Sequence, residues 1–218
     1  SIQYDQRSRI GFIGGGKVGG ALAVTMARAD YNVVGVSSRT FDSAKLIAGW
    51  IDNCEAYLLL QELADEVDIV FITTPDDSIA TVVSGIKWRY GQAVIHCSGA
   101  ASVSVLTTAQ HTGALTGAMH PLQALSSIDN GIDSIPGTTF GIEANGILKD
   151  YLSEIVYSIG GLPVFINADD KAIYHLTGVL MGNLLTALGA VAAELWETFG
   201  FTRAEGVKAL VPMMRQVS

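Results

Sequence analysis

The sequence predicts an α/β fold: a doubly wound, mostly parallel sheet followed by an all-helical region. Three observations predict it. Short apolar runs alternate with helix-like segments over most of the chain, the signature of strands joined by crossover helices. These runs lack the alternating polarity of a half-exposed sheet, so both faces should be covered. Beyond about Asp169 strand signals stop.

The elements follow in order. "RIGFI" (9–13) reads as a strand, a glycine-rich turn comes next, and "VGGALAVTMARA" (18–29) reads as a helix. "YNVVGVSSR" (31–39) is β-branched and strand-like, and "SAKLIAGWI" (43–51) is helical. "AYLLL" (56–60) fits a strand or a helix start, "QELADEV" (61–67) a short helix, and "DIVFITT" (68–74) a buried strand. "AVIHCSG" (93–99) is a further strand, as are "TTFGIEA" (138–144) and "LPVFIN" (162–167), around a helix near 146–159. Residues 171–201 contain no proline and read as a single helix, about 45 Å long at 1.5 Å per residue. The expected division is a nucleotide-binding domain over 1–167 and a helical domain over 168–218.

The composition narrows the function. The chain is 49% hydrophobic and carries a net charge of −8, which excludes an extended nucleic-acid surface. Cys54 and Cys97 match no metal-ligand spacing and form no disulfide framework. We expect no metal and two free thiols. The start "SIQYDQRSRI" has no basic-then-apolar signal segment, so a cytoplasmic protein is expected. The uncharged run 172–193 is long enough to span a bilayer. It holds His175, Asn183 and three glycines, and Glu194 and Glu197 rather than basic residues follow it. The expectation is therefore a homodimer through the long helix and no membrane.

The stretch "RIGFIGGGKVGG" (9–20) packs six glycines into twelve residues, a cost that needs a reason. Gly14, Gly16 and Gly19 fit G-x-G-x-x-G between a strand and a helix, which is the Rossmann context for a dinucleotide. The first glycine makes the turn, the second lets a pyrophosphate approach, and the third lets helix and strand pack. Gly15, Lys17 and Val18 complete the expected cofactor-binding segment. A methyltransferase with another adenosyl cofactor is the competitor within this architecture. At the end of the second strand an NAD site places a carboxylate. This chain has "VSSRT" (36–40). Ser37, Ser38 and Arg39 offer hydroxyls and a guanidinium suited to a 2′-phosphate, so the predicted cofactor is NADP. Thr74 and Pro75, then Ser98, follow strands at the ligand-binding edge of such a sheet. His96, inside its strand, is read as structural.

The segments "GFIGGGKVGGAL", "DIVFITTPDDSI", "AVIHCSGA", "GAMHPLQAL", "TTFGIEA" and "YHLTGVLMGNLLTAL" occur in this order. Over nearly the whole chain they resemble a family of NADP-dependent-oxidoreductase-like proteins. That family pairs a Rossmann-like N-terminal domain with a helical C-terminal domain of unassigned function. It is similar to pyrroline-5-carboxylate, ketopantoate and deazaflavin-dependent NADP reductases. The resemblance implies a dimerising helical domain, a cleft between the domains, and more helices after "LVPMMRQVS". Related dehydrogenases carry a catalytic lysine four residues before an asparagine of the long helix. If Asn183 is that asparagine, the position holds Val179, a departure from the pattern.

Four residues are candidates for chemistry. His120, held extended by Pro121, or His175 would donate a proton. Asn183 and Ser98 would position a small-molecule substrate. His175 and Asn183 lie about 80° apart on a straight helix. The expected function is NADPH-dependent reduction of a small carbonyl or imine, carboxylate-bearing like ketopantoate or pyrroline-carboxylate. The alternative is a non-catalytic NADP-binding sensor or scaffold.

Overall fold

The computed structural model describes residues 2–217. The chain divides into two compact units, Ser1–Ala172 and Ile173–Ser218. The first unit runs β1 (Ile10–Ile13), α1 (Lys17–Arg28), β2 (Val33–Ser37), α2 (Phe41–Ala48), β3 (Glu55–Tyr57), α3 (Leu60–Glu66) and β4 (Ile69–Ile72). It continues α4 (Ile79–Ser84), β5 (Ala93–His96), α5 (Thr107–Gln110), β6 (Leu115–Pro121), α6 (Ile128–Ser134), β7 (Thr139–Glu143), α7 (Gly146–Ser158) and β8 (Leu162–Phe165).

The strands form one sheet of eight in the order β3-β2-β1-β4-β5-β6-β7-β8. Strands β1 to β6 are parallel, β7 is antiparallel to β6, and β8 is parallel to β7. Strand order reverses beside β1, between β2 and β4, which makes a crevice at the carboxyl ends there.

The two faces explain the unbroken apolar strands. On one face Ile10, Phe12, Ile69, Phe71 and Ile95 pack with Leu22 and Met26 of α1 and Leu152 and Ile155 of α7. On the other, Ile13, Val70, Ile72 and Val94 pack with Leu63, Ile79, Val83 and Leu106. Phe12 and Phe71 are fully buried and stacked at 5.1 Å. Each contributes about 1.5–3 kcal/mol by burial.

The second unit contains the rest of α8 (Lys171–Val179), which begins in the first unit, a π turn over Leu180–Leu184, and α9 (Leu185–Glu194). A 3₁₀ turn, Leu195–Phe199, ends at Gly200, whose φ of 92° suits glycine. Then α10 (Arg203–Val217) packs on α9. The long helix is therefore helical throughout but not a uniform α-helix, because the π turn takes in an extra residue. Helix α10 goes beyond the sequence reading. Its signal is a capping box: Thr202 Oγ1 accepts from Glu205 N at 3.3 Å, and Glu205 Oε2 accepts from Thr202 N at 2.8 Å. Strand β6 and helix α6 lie in segments with weak sequence signals. Glycine within "GALTGAM" obscures the first, and "IDNGIDS" has weak helix formers.

Among the described residues one helical run, Ala168–Phe199, is long and apolar enough to cross a membrane by length and composition. Leu176, Leu180, Met181, Leu184, Leu188, Val191 and Leu195 on it are exposed.

Candidate functional site

The turn after β1 assigns each glycine a separate task. Gly14 has φ 122°, and a Cβ there would meet the Thr73 backbone at 2.6 Å. Its N–H donates to Ser37 O at 2.8 Å, and Thr73 Oγ1 donates to Gly14 O at 3.0 Å. Gly16 caps α1 without a side-chain bond, and a Cβ there would meet nothing within 4 Å. A Cβ on Gly19 would fall on the Gly14 carbonyl oxygen and the Thr73 hydroxyl. Gly14 thus turns, Gly16 leaves room, and Gly19 lets the helix close on the strand. No acidic residue occupies the first turn of α1, so its open N–H groups and partial positive charge suit an anion. Gly16 and Lys17 are exposed, and Gly15 and Val18 are half-buried.

At the end of β2 the predicted trio separates. Ser37 is buried, and its hydroxyl has no partner among the described residues. Ser38 Oγ accepts from Gly15 N at 3.2 Å and so braces the glycine turn. Arg39 is exposed and is the cation of this strand end. The carboxylate that follows, Asp42, is held by Lys45 at 2.8 Å, which keeps its pKa below the ordinary value.

The loops after β4 and β5 stand on the same edge. Ser37, Ile13, Ile72, His96, Ala118 and Glu143 form one register row across the sheet. Thr73 locks onto the glycine turn, Thr74 Oγ1 is buried without a partner among the described residues, and Pro75 is exposed. His96 is fully buried. Ser98 N donates to its Nδ1 at 3.1 Å, so Nε2 carries the proton and donates to Ser102 O at 3.2 Å. Burial first, and the Lys171 ammonium second, lower its pKa to about 4. His96 is a neutral structural residue, as its place inside the strand suggests.

Ser98 was expected to position substrate. Its Oγ instead accepts from Ala100 N at 3.2 Å and Ala101 N at 2.9 Å, and the residue is buried. A serine at a strand end finds these N–H groups within reach of its own hydroxyl, so Ser98 shapes the loop.

Two further residues escaped the sequence reading as site members. Lys171 is 4% exposed. Its Nζ lies 3.7 Å from Glu143 Oε2 and donates to Ser98 O at 3.2 Å. Glu143 Oε2 also accepts from Val103 N at 3.0 Å. Burial lowers the Lys171 pKa, and Glu143 opposes that shift. The available signal was a carboxylate inside the apolar strand "TTFGIEA" and a lysine opening an apolar helix.

His120 is half-buried in β6, opposite Gly141 and before Pro121. His175 and Asn183 lie in the second unit, half-buried and exposed respectively. Asn183 falls inside the π turn, so the angle expected for a straight helix does not hold between them. Among the described residues no group of three or more His, Cys, Asp or Glu side chains could hold a metal ion.

A concavity of about 780 Å³ is lined by Arg9, Asn32, Glu55, Tyr57 and Glu66 beside the amino ends of β1 and β2. It opens on the wrong edge for a dinucleotide, which binds outside the carboxyl ends, and it is rich in carboxylates.

Residues 2–121, more than half of the chain, match the family model of the Rossmann-like domain. The chain belongs to the Rossmann-like domain family. Residues 138–218 match a domain of unknown function, DUF2520. The second match begins just before β7, so β7, β8, Glu143 and Lys171 fall within it. No curated protein matches the sequence. The Rossmann-like chain is similar to the crystal structure of a provisionally named NADP oxidoreductase from Bacteroides fragilis. That similarity has TM-score 0.78 and 22% identity, covering 99% of this chain and 80% of that one. A reductive aminase from Aspergillus terreus, in complex with NADPH and ethyl levulinate, gives TM-score 0.78 at 14% identity, covering 97% and 73%. A 1-pyrroline-5-carboxylate reductase from Streptococcus pyogenes gives 0.75 at 16% identity, covering 98% and 79%. At these identities the likeness is one of fold.

Proposed function

We propose that this Rossmann-like protein is an NADPH-dependent oxidoreductase that reduces a small, carboxylate-bearing carbonyl or imine. The glycine turn carries this reading. Its Gly16 is open where a phosphate would approach, while Gly14 and Gly19 are closed by backbone. The backbone of Gly14 to Gly19, with Lys17 beside it, would hold the pyrophosphate. Arg39 would meet the 2′-phosphate, and Thr74, Pro75 and the loop at Ser98 would line the far half. When bound, NADPH supplies the hydride, and the protein supplies orientation and a proton. His120 is the first candidate to donate that proton. His175, and Asn183 as a substrate ligand, are the candidates on the second unit. The similar pyrroline-carboxylate reductase favours a carboxylate-bearing imine, and the reductive aminase in complex with ethyl levulinate, a keto ester, favours a carbonyl without speaking for the carboxylate.

The test is a calorimetric titration of the chain with NADPH and then with NADH. NADPH is expected to bind at least about tenfold tighter, the effect of one charge-assisted contact. Binding of neither overturns the reading. His120→Ala is expected to slow turnover about 10²-fold or more while leaving the NADPH Kd within about twofold; unchanged turnover removes His120 from the chemistry. Val179, or Gly178 once the π turn is counted, stands where the resemblance implies a lysine, and this favours a second reading: an NADP-binding protein without turnover. It predicts the same binding and no NADPH oxidation across a substrate panel. We further propose that a second copy, rather than lipid, covers the exposed leucines of the long helix. Sedimentation as a monomer would contradict that.

A further inference from the structure

The glycine turn makes no use of Lys171 and Glu143, although both are among the few buried charges of the first unit. A buried ion pair is costly to assemble, and removing one partner leaves the other unpaired. This pair is tied to one segment. Lys171 Nζ donates to the carbonyl of Ser98, and Glu143 Oε2 accepts the N–H of Val103. These are the two ends of the loop that follows β5. Between them Ser98 Oγ holds Ala100 and Ala101, and His96 Nε2 holds Ser102. Asp76, from the loop after β4, adds its field to both His96 and Lys171. The loop stands two strands from the glycine turn, in the order β1-β4-β5. A dinucleotide laid along this edge with its pyrophosphate on the glycine turn extends its second half toward β4 and β5.

We propose that Lys171 and Glu143 are positioning residues, a buried pair that clamps both ends of the 98–103 loop as the receiving surface for the nicotinamide half of NADPH. The inference rests on the NADPH reading above. It also gives the DUF2520 region a task. Both clamp residues fall within residues 138–218, and the loop they hold falls within residues 2–121.

The test uses the full chain, its Lys171→Met, Lys171→Arg and Glu143→Gln variants, and two probes. Adenosine 2′,5′-bisphosphate reports on the adenosine half alone, and NADPH reports on both halves. Lys171→Met is expected to weaken NADPH about tenfold, because the unclamped loop must then be ordered on binding, while the bisphosphate Kd stays within about twofold. Lys171→Arg restores most of the loss. In the nucleotide-free protein, amide exchange at 100–103 accelerates in Lys171→Met while β1 and β4 stay protected. Equal weakening of both probes overturns the proposal, since the pair would then be general scaffolding. Unchanged exchange and unchanged NADPH binding in a folded Lys171→Met also overturn it. Where Lys171→Met fails to fold, Glu143→Gln, which keeps an oxygen for Val103, carries the same comparisons. A wild-type chain that binds neither probe refutes the nucleotide reading and this proposal with it, whereas loop exchange that responds without any nucleotide effect refutes the proposal alone.

Discussion

The turn after β1 and the loop after β5 stand on the same edge of the same sheet and are shaped by opposite means. The turn is made by leaving side chains out. Gly14, Gly16 and Gly19 forgo a Cβ, at about 0.5–1 kcal/mol each in chain entropy, and backbone fills or vacates the space. The loop is made by putting charges in. Lys171 and Glu143 are buried as a pair, and breaking such a pair costs about 3–5 kcal/mol. The turn draws on neighbours in sequence, on Thr73, and on the end of β2, where Ser37 O and Ser38 Oγ accept its N–H groups. The loop draws on partners 73 and 40 residues away. The first arrangement can be altered by a single methyl, the second by a single proton or charge.

The largest expected effect breaks the turn. Gly19→Ala drives a methyl into the Gly14 carbonyl and Thr73, and should destabilise the fold by about 1–3 kcal/mol and abolish NADPH binding. Gly16→Ala sharpens the contrast, because its φ of −83° suits alanine and its space is empty. Stability should stay within about 0.5 kcal/mol while NADPH affinity falls. Urea unfolding with calorimetry separates the two, and equal behaviour of both variants would refute the assignment of separate tasks.

The next effect probes the charged side. In the unfolded chain His96 takes up its proton near 6.5, whereas the folded protein holds it neutral down to about 4. The unfolded state therefore binds that proton first as pH falls. Stability should drop from about pH 6.5 toward pH 4, by roughly 3 kcal/mol at the limit. His96→Gln, which keeps a donor for Ser102, should flatten that part of a urea-unfolding pH series. An unchanged slope would mean that His96 is not the group responsible.

The smallest effect lies at the exposed rim. Arg39→Ala should weaken NADPH about tenfold and leave NADH and thermal stability nearly unchanged. An equal loss for both nucleotides would place Arg39 away from the 2′-phosphate.

The same contrast explains what could be read in the sequence. Gly14, Gly16 and Gly19 announce themselves because strand, turn and helix are contiguous, and the buried strands β1, β4 and β5 announce themselves by unbroken apolar runs. Ser98 is visible by its residue type, but the N–H groups that its hydroxyl accepts from, Ala100 and Ala101, depend on how the loop closes. Lys171 and Glu143 have no meaning alone, and their meeting requires β8 to run parallel beside β7, which brings the chain after Phe165 to the end that carries Glu143. Helix α10 was legible in Thr202 and Glu205, whose reciprocal capping needs only local spacing.

The π turn at Leu180–Leu184 bears on how this helix can be compared with others. A turn closed by an i→i+5 bond accommodates one residue more than the turn it replaces. Counting back four from Asn183 points to Val179, yet along the helix face the place one turn earlier shifts toward Gly178. Superposition rather than residue arithmetic is the safe ruler across this segment. Neither residue bears an amine, so the absence of a lysine at that height survives the change of register.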